Sequence, residues 1–120
     1  MPNQAVWFDI PVQDLDRAIR FYAAVLGAPV EKSSFPGGAI GVLPHTMGDV
    51  GGCLVQAKDN KPSVSGPLLY LNAQGRLDAA VAAVTANGGK VLIPKESIAP
   101  HGFRAVVLDS EGNRVALHSM

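Results

Sequence analysis

Four side chains with chemistry to offer stand inside apolar stretches: Asp9 in AVWFDIPV (residues 5–12), Tyr70 and Asn72 in LLYLNA (68–73), and His118 in RVALH (114–118). A carboxylate inside a β-favouring apolar run must be paired, hydrogen-bonded or neutralised. Asp9 therefore reads as a group that orients a ligand donor or takes a proton, or as a structural partner of a backbone group or of Arg104. His118 titrates near neutrality and suits a general acid or base; the alternative is an ordinary exposed histidine. Strand alternation puts Trp7 on the same face as Asp9. Its indole could stack on a planar ligand or fill the core. Tyr70 could offer its hydroxyl to a ligand or keep it satisfied within the core, and Arg104 could receive an anion or pair at the surface. Asp9 and His118 together are candidates for an acid–base pair, or for two ligands of a displaced metal.

The elements that must position these groups alternate in an orderly way. The Ala5–Val12 strand is followed by Asp14 as a helix N-cap, then Leu15, Ala18, Ile19, Tyr22 and Leu26 at helical spacing. Gly27, with Pro29 two residues on, supplies the stop. Short strands are predicted over Val30–Phe35, Ala39–Leu43 and Gly52–Ala57, and the turn-rich KDNKPSVSG (58–66) reads as a linker. The order then recurs as a strand at Leu68–Ala73, a helix at Leu77–Ala86, and strands at Lys90–Pro94, Arg104–Asp109 and Arg114–His118. The 120 residues thus form one α+β domain of two βαβββ modules, residues 1–57 and 67–120. Matching the halves with a one-residue gap after the strand sets Tyr70 opposite Asp9 and Asn72 opposite Pro11. Packed together, two such modules are expected to make a partly closed β cup with helices outside and a cavity within. Asp14, Asp16, Arg17 and Arg20 read as the solvated face of the first helix, and Cys53 as a small buried hydrophobe. Gly112-Asn113 reads as turn chemistry, because both residues tolerate positive φ.

Composition removes other classes. Ten basic and ten acidic side chains, scattered along the chain, argue against nucleic-acid binding. One cysteine excludes an internal disulfide framework and a Cys-cluster zinc site. Apolar runs such as Ala79–Val84 are too short to span a membrane. MPNQ lacks the basic start and apolar stretch of a signal peptide, so a cytoplasmic location is expected. His45 and His101 each follow a proline at no recognised ligand spacing.

With its element order, the strings FDIPVQDLDRAIRFY (8–22), LDAAVAAVTANGGKV (77–91) and LDSEGNRVALHS (108–119) make the chain resemble the vicinal oxygen chelate superfamily. That group holds glyoxalase I, bleomycin-resistance proteins, fosfomycin-resistance enzymes and extradiol dioxygenases; the nearest likeness is to small single-domain glyoxalase-like proteins. The resemblance covers about residues 5–120. It implies the paired-module cup, a small-molecule ligand and a homodimer. In the superfamily's enzymes a divalent metal (zinc, nickel, manganese or iron) is held by one His or Glu from each of four strands. Carried over, those positions fall on Trp7, on Gly52, Leu54 or Gln56, on Leu68 or Leu69, and on Ala116. None is a good ligand. The expected function is therefore small-molecule binding in the cup without the usual metal site, the lining being Trp7, Asp9, Tyr70, Asn72, Arg104 and His118. The alternative is a metal-dependent lyase, isomerase or dioxygenase acting on a vicinal-oxygen substrate through an atypical ligand set. A third reading is a sequestering dimer like the bleomycin-resistance proteins, with an open groove at its interface.

Overall fold

Asp14 opens the first helix as predicted: its carboxylate accepts the Arg17 amide at 3.1 Å, and Gly27 closes the helix in the left-handed region at φ 69°. The computed structural model describes residues 3–120. Among them the first module runs β1 (Trp7–Pro11), α1 (Leu15–Leu26), β2 (Glu31–Phe35), β3 (Gly38–Val42) and β4 (Gly51–Val55). The second runs β5 (Leu69–Asn72), α2 (Leu77–Ala86), β6 (Lys90–Ser97), β7 (Phe103–Leu108) and β8 (Arg114–Ser119). Each module makes its own four-stranded sheet, ordered β1-β4-β3-β2 and β5-β8-β7-β6, with β1 parallel to β4, β5 parallel to β8 and the other pairs antiparallel. Strand β6 continues three residues past Pro94, which an edge strand tolerates because its outer N–H row needs no partner; the pairing with β7 shifts register on both sides of Ile93.

Register makes the duplication explicit. Asp9 lies opposite Cys53, and Tyr70 lies opposite Ala116. Just beyond, the Val12 amide donates to the Val55 carbonyl (3.0 Å) and the Ala73 amide to the His118 carbonyl (2.8 Å). Asp9 and Tyr70 are equivalent positions, as are Cys53 and Ala116. The helices start one residue out of step with this match, so the gap follows the strand.

Both helices lie on the same side of their sheets and pack on each other. They share one core, in which Ile10, Phe21, Val25, Leu71, Val84 and Leu117 are buried together. Helix α2 buries only Leu77, Ala80 and Val84 of its length, and its small side chains let α1 approach closely. The opposite face of each sheet carries Trp7 and Asp9 on β1, Tyr70 and Asn72 on β5, and stays open.

The β7–β8 turn, Asp109 to Asn113, crosses to the first module. Glu111 accepts the amides of Gln13 and Asp14 at 2.8 Å each, the Ser110 hydroxyl at 2.9 Å, and a two-pronged Arg17 contact at 2.7 and 3.0 Å. Its side chain is 0% exposed. Asp109, also buried, accepts the Tyr22 hydroxyl at 2.6 Å and the Glu111 and Asn113 amides; Asn113 Nδ2 reaches the Pro11 carbonyl at 2.7 Å. These contacts correct one expectation. Of the charges on α1, Asp14 caps the helix, Arg17 joins the modules and Asp16 pairs with Lys32. In the turn only Gly112 takes positive φ (95°), whereas Asn113 serves through its side chain. The expected linker is tied to the same turn: the Ser63 amide donates to Asn113 Oδ1 at 3.2 Å, and Arg114 Nε to the Val64 carbonyl at 3.1 Å. A reciprocal tie runs the other way, where Arg76 Nη1 donates to the Val25 carbonyl at 2.5 Å at the end of α1.

Burial alone would raise the Glu111 carboxyl, but Arg17, the Asp14 and Gln13 amides and the Ser110 hydroxyl outweigh it and hold it at about 2. A carboxylate whose folded value is depressed stabilises the protein fully above its unfolded value, near 4.5, and loses that contribution as the pH falls through 2. Glu111→Gln should cost on the order of 2–3 kcal/mol at pH 7 in urea unfolding, and should remove most of the wild-type decline between pH 4.5 and 2. Gly27→Ala should destabilise by about 1–2 kcal/mol through left-handed strain alone. The loss should exceed that, because a Cβ at this position would lie 2.7 Å from the Arg76 guanidinium carbon.

Candidate functional site

The open face of the first sheet holds a three-residue arrangement around Asp9. Its Oδ1 accepts the Trp7 indole N–H at 3.1 Å and the Cys53 thiol at 3.3 Å. Cys53 is almost fully buried, and burial together with the bond to Asp9 and its charge pushes the thiol up to about 11, so it stays a protonated donor at neutral pH. Trp7 lies down over Gly51, where a Cβ would sit 2.7 Å from the indole ring, and His45 meets it edge-on at 5.8 Å. On the helix side of the same strand pair, Phe8 covers Gly52, with a Cβ there only 2.3 Å from the ring. Consecutive glycines in β4 thus make room for two consecutive aromatics in β1.

The open face of the second sheet holds the other cluster. Arg104 donates from Nε to Glu96 Oε1 at 3.0 Å and from Nη1 to Tyr70 Oη at 2.6 Å. Glu96 first, and then Tyr70, raise the guanidinium pKa further. His118 sits across the ladder from Arg104 on one side and Asn72 on the other, with the Tyr70 ring 6.3 Å away. Its Nε2 lies 2.6 Å from the His101 carbonyl and is therefore the protonated, donating nitrogen. Asn72 turns its Oδ1 back to accept the Gln74 amide at 2.8 Å, closing the end of β5.

The six candidates from the sequence therefore all lie on the open faces, but in two groups. Trp7 and Asp9 are bonded in one; Tyr70, Arg104 and His118 adjoin in the other, with Asn72 at its edge. Asp9 and His118 share no hydrogen bond, and the partner of Arg104 is Glu96. Sequence reasoning missed Cys53 and Glu96 as partners. Parallel pairing of β1 with β4 was the only signal available for the first. The second is brought to Arg104 by the irregular register of β6.

Strands β1 and β5 face each other across the module seam without pairing. A cleft of about 370 Å³ opens there between Phe8, Leu43, Gly51, Tyr70 and Asn72. A second, of about 280 Å³, lies by the linker between Asp9, Pro11, Lys61, Leu69 and Arg114. The donor chemistry a divalent metal needs is not assembled at the positions inferred from the family. Trp7 and Ala116 offer none, Leu68 and Leu69 are aliphatic, Gly52 and Leu54 lie on the helix side, and Gln56, just past β4, is turned toward the start of α1, where its Nε2 donates to the Gln13 carbonyl at 2.7 Å. The open-face equivalent of Ala116 is Cys53, whose thiol is held protonated by Asp9. Among the described residues no three His, Cys, Asp or Glu side chains gather into a metal-holding group. No helix among them is long and apolar enough to cross a membrane.

The model of the Glyoxalase/Bleomycin resistance protein/Dioxygenase superfamily matches residues 4–117. The chain belongs to that superfamily. Solved structures carry the same fold at low identity. A glyoxalase/bleomycin resistance protein from Albidiferax ferrireducens T118 superposes with a TM-score of 0.77 at 20% identity, over 98% of this chain and 99% of that one. TnmS3, an antibiotic binding protein from Streptomyces sp. CB03234, gives 0.71 at 25% identity, over 98% and 95%. A superfamily enzyme from Burkholderia phytofirmans PsJN gives 0.72 at 17%, over 95% and 96%. Among curated proteins none matches the chain significantly.

Within this superfamily fold, the seat of Trp7 depends on the bare Gly51. Gly51→Ala should lift the indole off β4 and break its bond to Asp9. The emission of the sole tryptophan should shift, with a lowered melting temperature; unchanged emission would show that the ring does not rest on Gly51.

Proposed function

We propose that this protein binds a small planar organic molecule in the open cup between its modules, and that it does so without the metal chemistry of the superfamily's enzymes. The observation that carries the reading is the exposure of Trp7 (45%) and Tyr70 (46%) on the two strands that flank the unpaired seam. Large aromatics left open beside a cleft, each with its polar atom already fixed by a neighbour, are suited to stacking. Support comes also from TnmS3, an antibiotic binding protein that is 25% identical to this chain. In this reading the protein is a homodimer whose second copy partly covers the open faces, in keeping with a fold that leaves one side of each sheet bare.

Thermal melting tests it. Fused-ring phenols and lactams should include compounds that raise the melting temperature by about 5 °C or more at a hundredfold excess over Kd. Trp7→Ala and Tyr70→Ala should each abolish the effect. Zinc, nickel, manganese and iron should shift the melt no more than magnesium does. A large shift with one of those metals would overturn the metal-independent reading.

A further inference from the structure

Four of the ten acidic groups of this protein have a cationic partner among the described residues. Asp16 pairs with Lys32, Asp78 with Lys95, Glu96 with Arg104 and Glu111 with Arg17, at 2.7 to 3.3 Å. Asp9, in the middle of a strand, has no cationic partner among the described residues. Two neutral donors hold it instead, Trp7 and Cys53, and both bind the same oxygen, Oδ1. Its Oδ2 is left for something outside the chain. By alternation and register, the same face of the first sheet presents Glu31, Ser33, Ile40 and Val42 and no lysine or arginine. Lys32 points to the other side, where it meets Asp16 of α1. Lys61 and Arg114 border the linker-side cleft with Asp9, but neither forms an ion pair with it, and Arg114 is committed to the Val64 carbonyl.

We propose that Asp9, oriented by Trp7 and Cys53, is the recognition point for a protonated amine carried by the aromatic ligand of the cup. This rests on the ligand-binding reading above and adds the ligand's charge. An ammonium at Oδ2 would gain a charge-assisted hydrogen bond to a carboxylate that no lysine or arginine neutralises. Cys53 is a positioning residue here. With its proton retained, the thiol fixes the carboxylate rotamer without neutralising its charge, which a lysine or arginine in that place would do.

Three ring-matched probes, 2-phenylethylamine, 2-phenylethanol and 3-phenylpropionate, separate charge from stacking, with emission of the sole tryptophan as the readout at pH 7. The amine should bind at least about ten-fold more tightly than the other two, and added salt should reduce that preference. Asp9→Asn should bring the three together, with folding of the variant confirmed by its melt. Cys53→Ser, which keeps a donor, should retain the preference, and Cys53→Ala should weaken amine binding severalfold. Equal binding of all three probes to the wild type would overturn the amine site and leave the aromatic cup standing. An amine preference that survives in Asp9→Asn would also overturn it. Failure of every probe to alter the emission would overturn both this proposal and the reading beneath it.

Discussion

The arrangement depends first on one buried carboxylate. Glu111 sits at a turn of the second module, yet every group that satisfies it apart from Ser110 belongs to the first: two amides where β1 gives way to α1, and the Arg17 guanidinium one turn into that helix. A buried, fully hydrogen-bonded ion of this kind has few alternative arrangements of comparable energy, because losing one partner leaves charge uncompensated. It therefore sets the register between modules that otherwise meet through apolar packing and a few further polar ties. Asp109, Tyr22 and Asn113 extend the same contact to the Pro11 carbonyl, and Arg76 ties the far end of α1. With both helices bound in this way, the inner strands β1 and β5 are held on either side of the clefts at the seam, in separate sheets.

The polar groups of the helix side are consumed in holding the modules, whereas those of the open side are arranged for contact. Arg104 takes one lone pair of the Tyr70 hydroxyl, so the phenolic proton is free to point into the cup. Trp7 and Cys53 take one oxygen of Asp9 and leave the other. The two equivalent positions of the duplication thus present an O–H on one wall and a carboxylate oxygen on the other. Duplication supplied the frame, and divergence at Asp9 and Tyr70 gave its walls opposite hydrogen-bonding character.

Much of this was legible in the sequence wherever the signal was local. Element order, the Asp14 cap, the Gly27 stop and the gap that sets Tyr70 against Asp9 all follow from spacing over a few residues. Alternation put Trp7 and Asp9 on one face of their strand and gave His118 its own. What escaped was long-range. DSEGN reads as a turn from its own text, and nothing in that text announces partners more than ninety residues away. Cys53 looks like filler until β4 is laid parallel to β1 in the register that sets it against Asp9. For the suggested Asp9–His118 pair alternation gives only the face of each strand; which neighbour lies within reach depends on how the sheets are joined. The ligand positions carried over from the family passed over Cys53, the open-face equivalent of Ala116.

The most direct test of the central claim is a backbone amide correlation spectrum of isotopically labelled protein, titrated with 1-naphthol, a neutral planar ring. Binding in the cup should move the Trp7 indole N–H and the amides of Gly51, Tyr70 and Asn72 in a saturable way, while the amides of α2 stay in place. Shifts confined to α2 and the Lys95–Phe103 surface, or no shift at Trp7 and Tyr70, would contradict it.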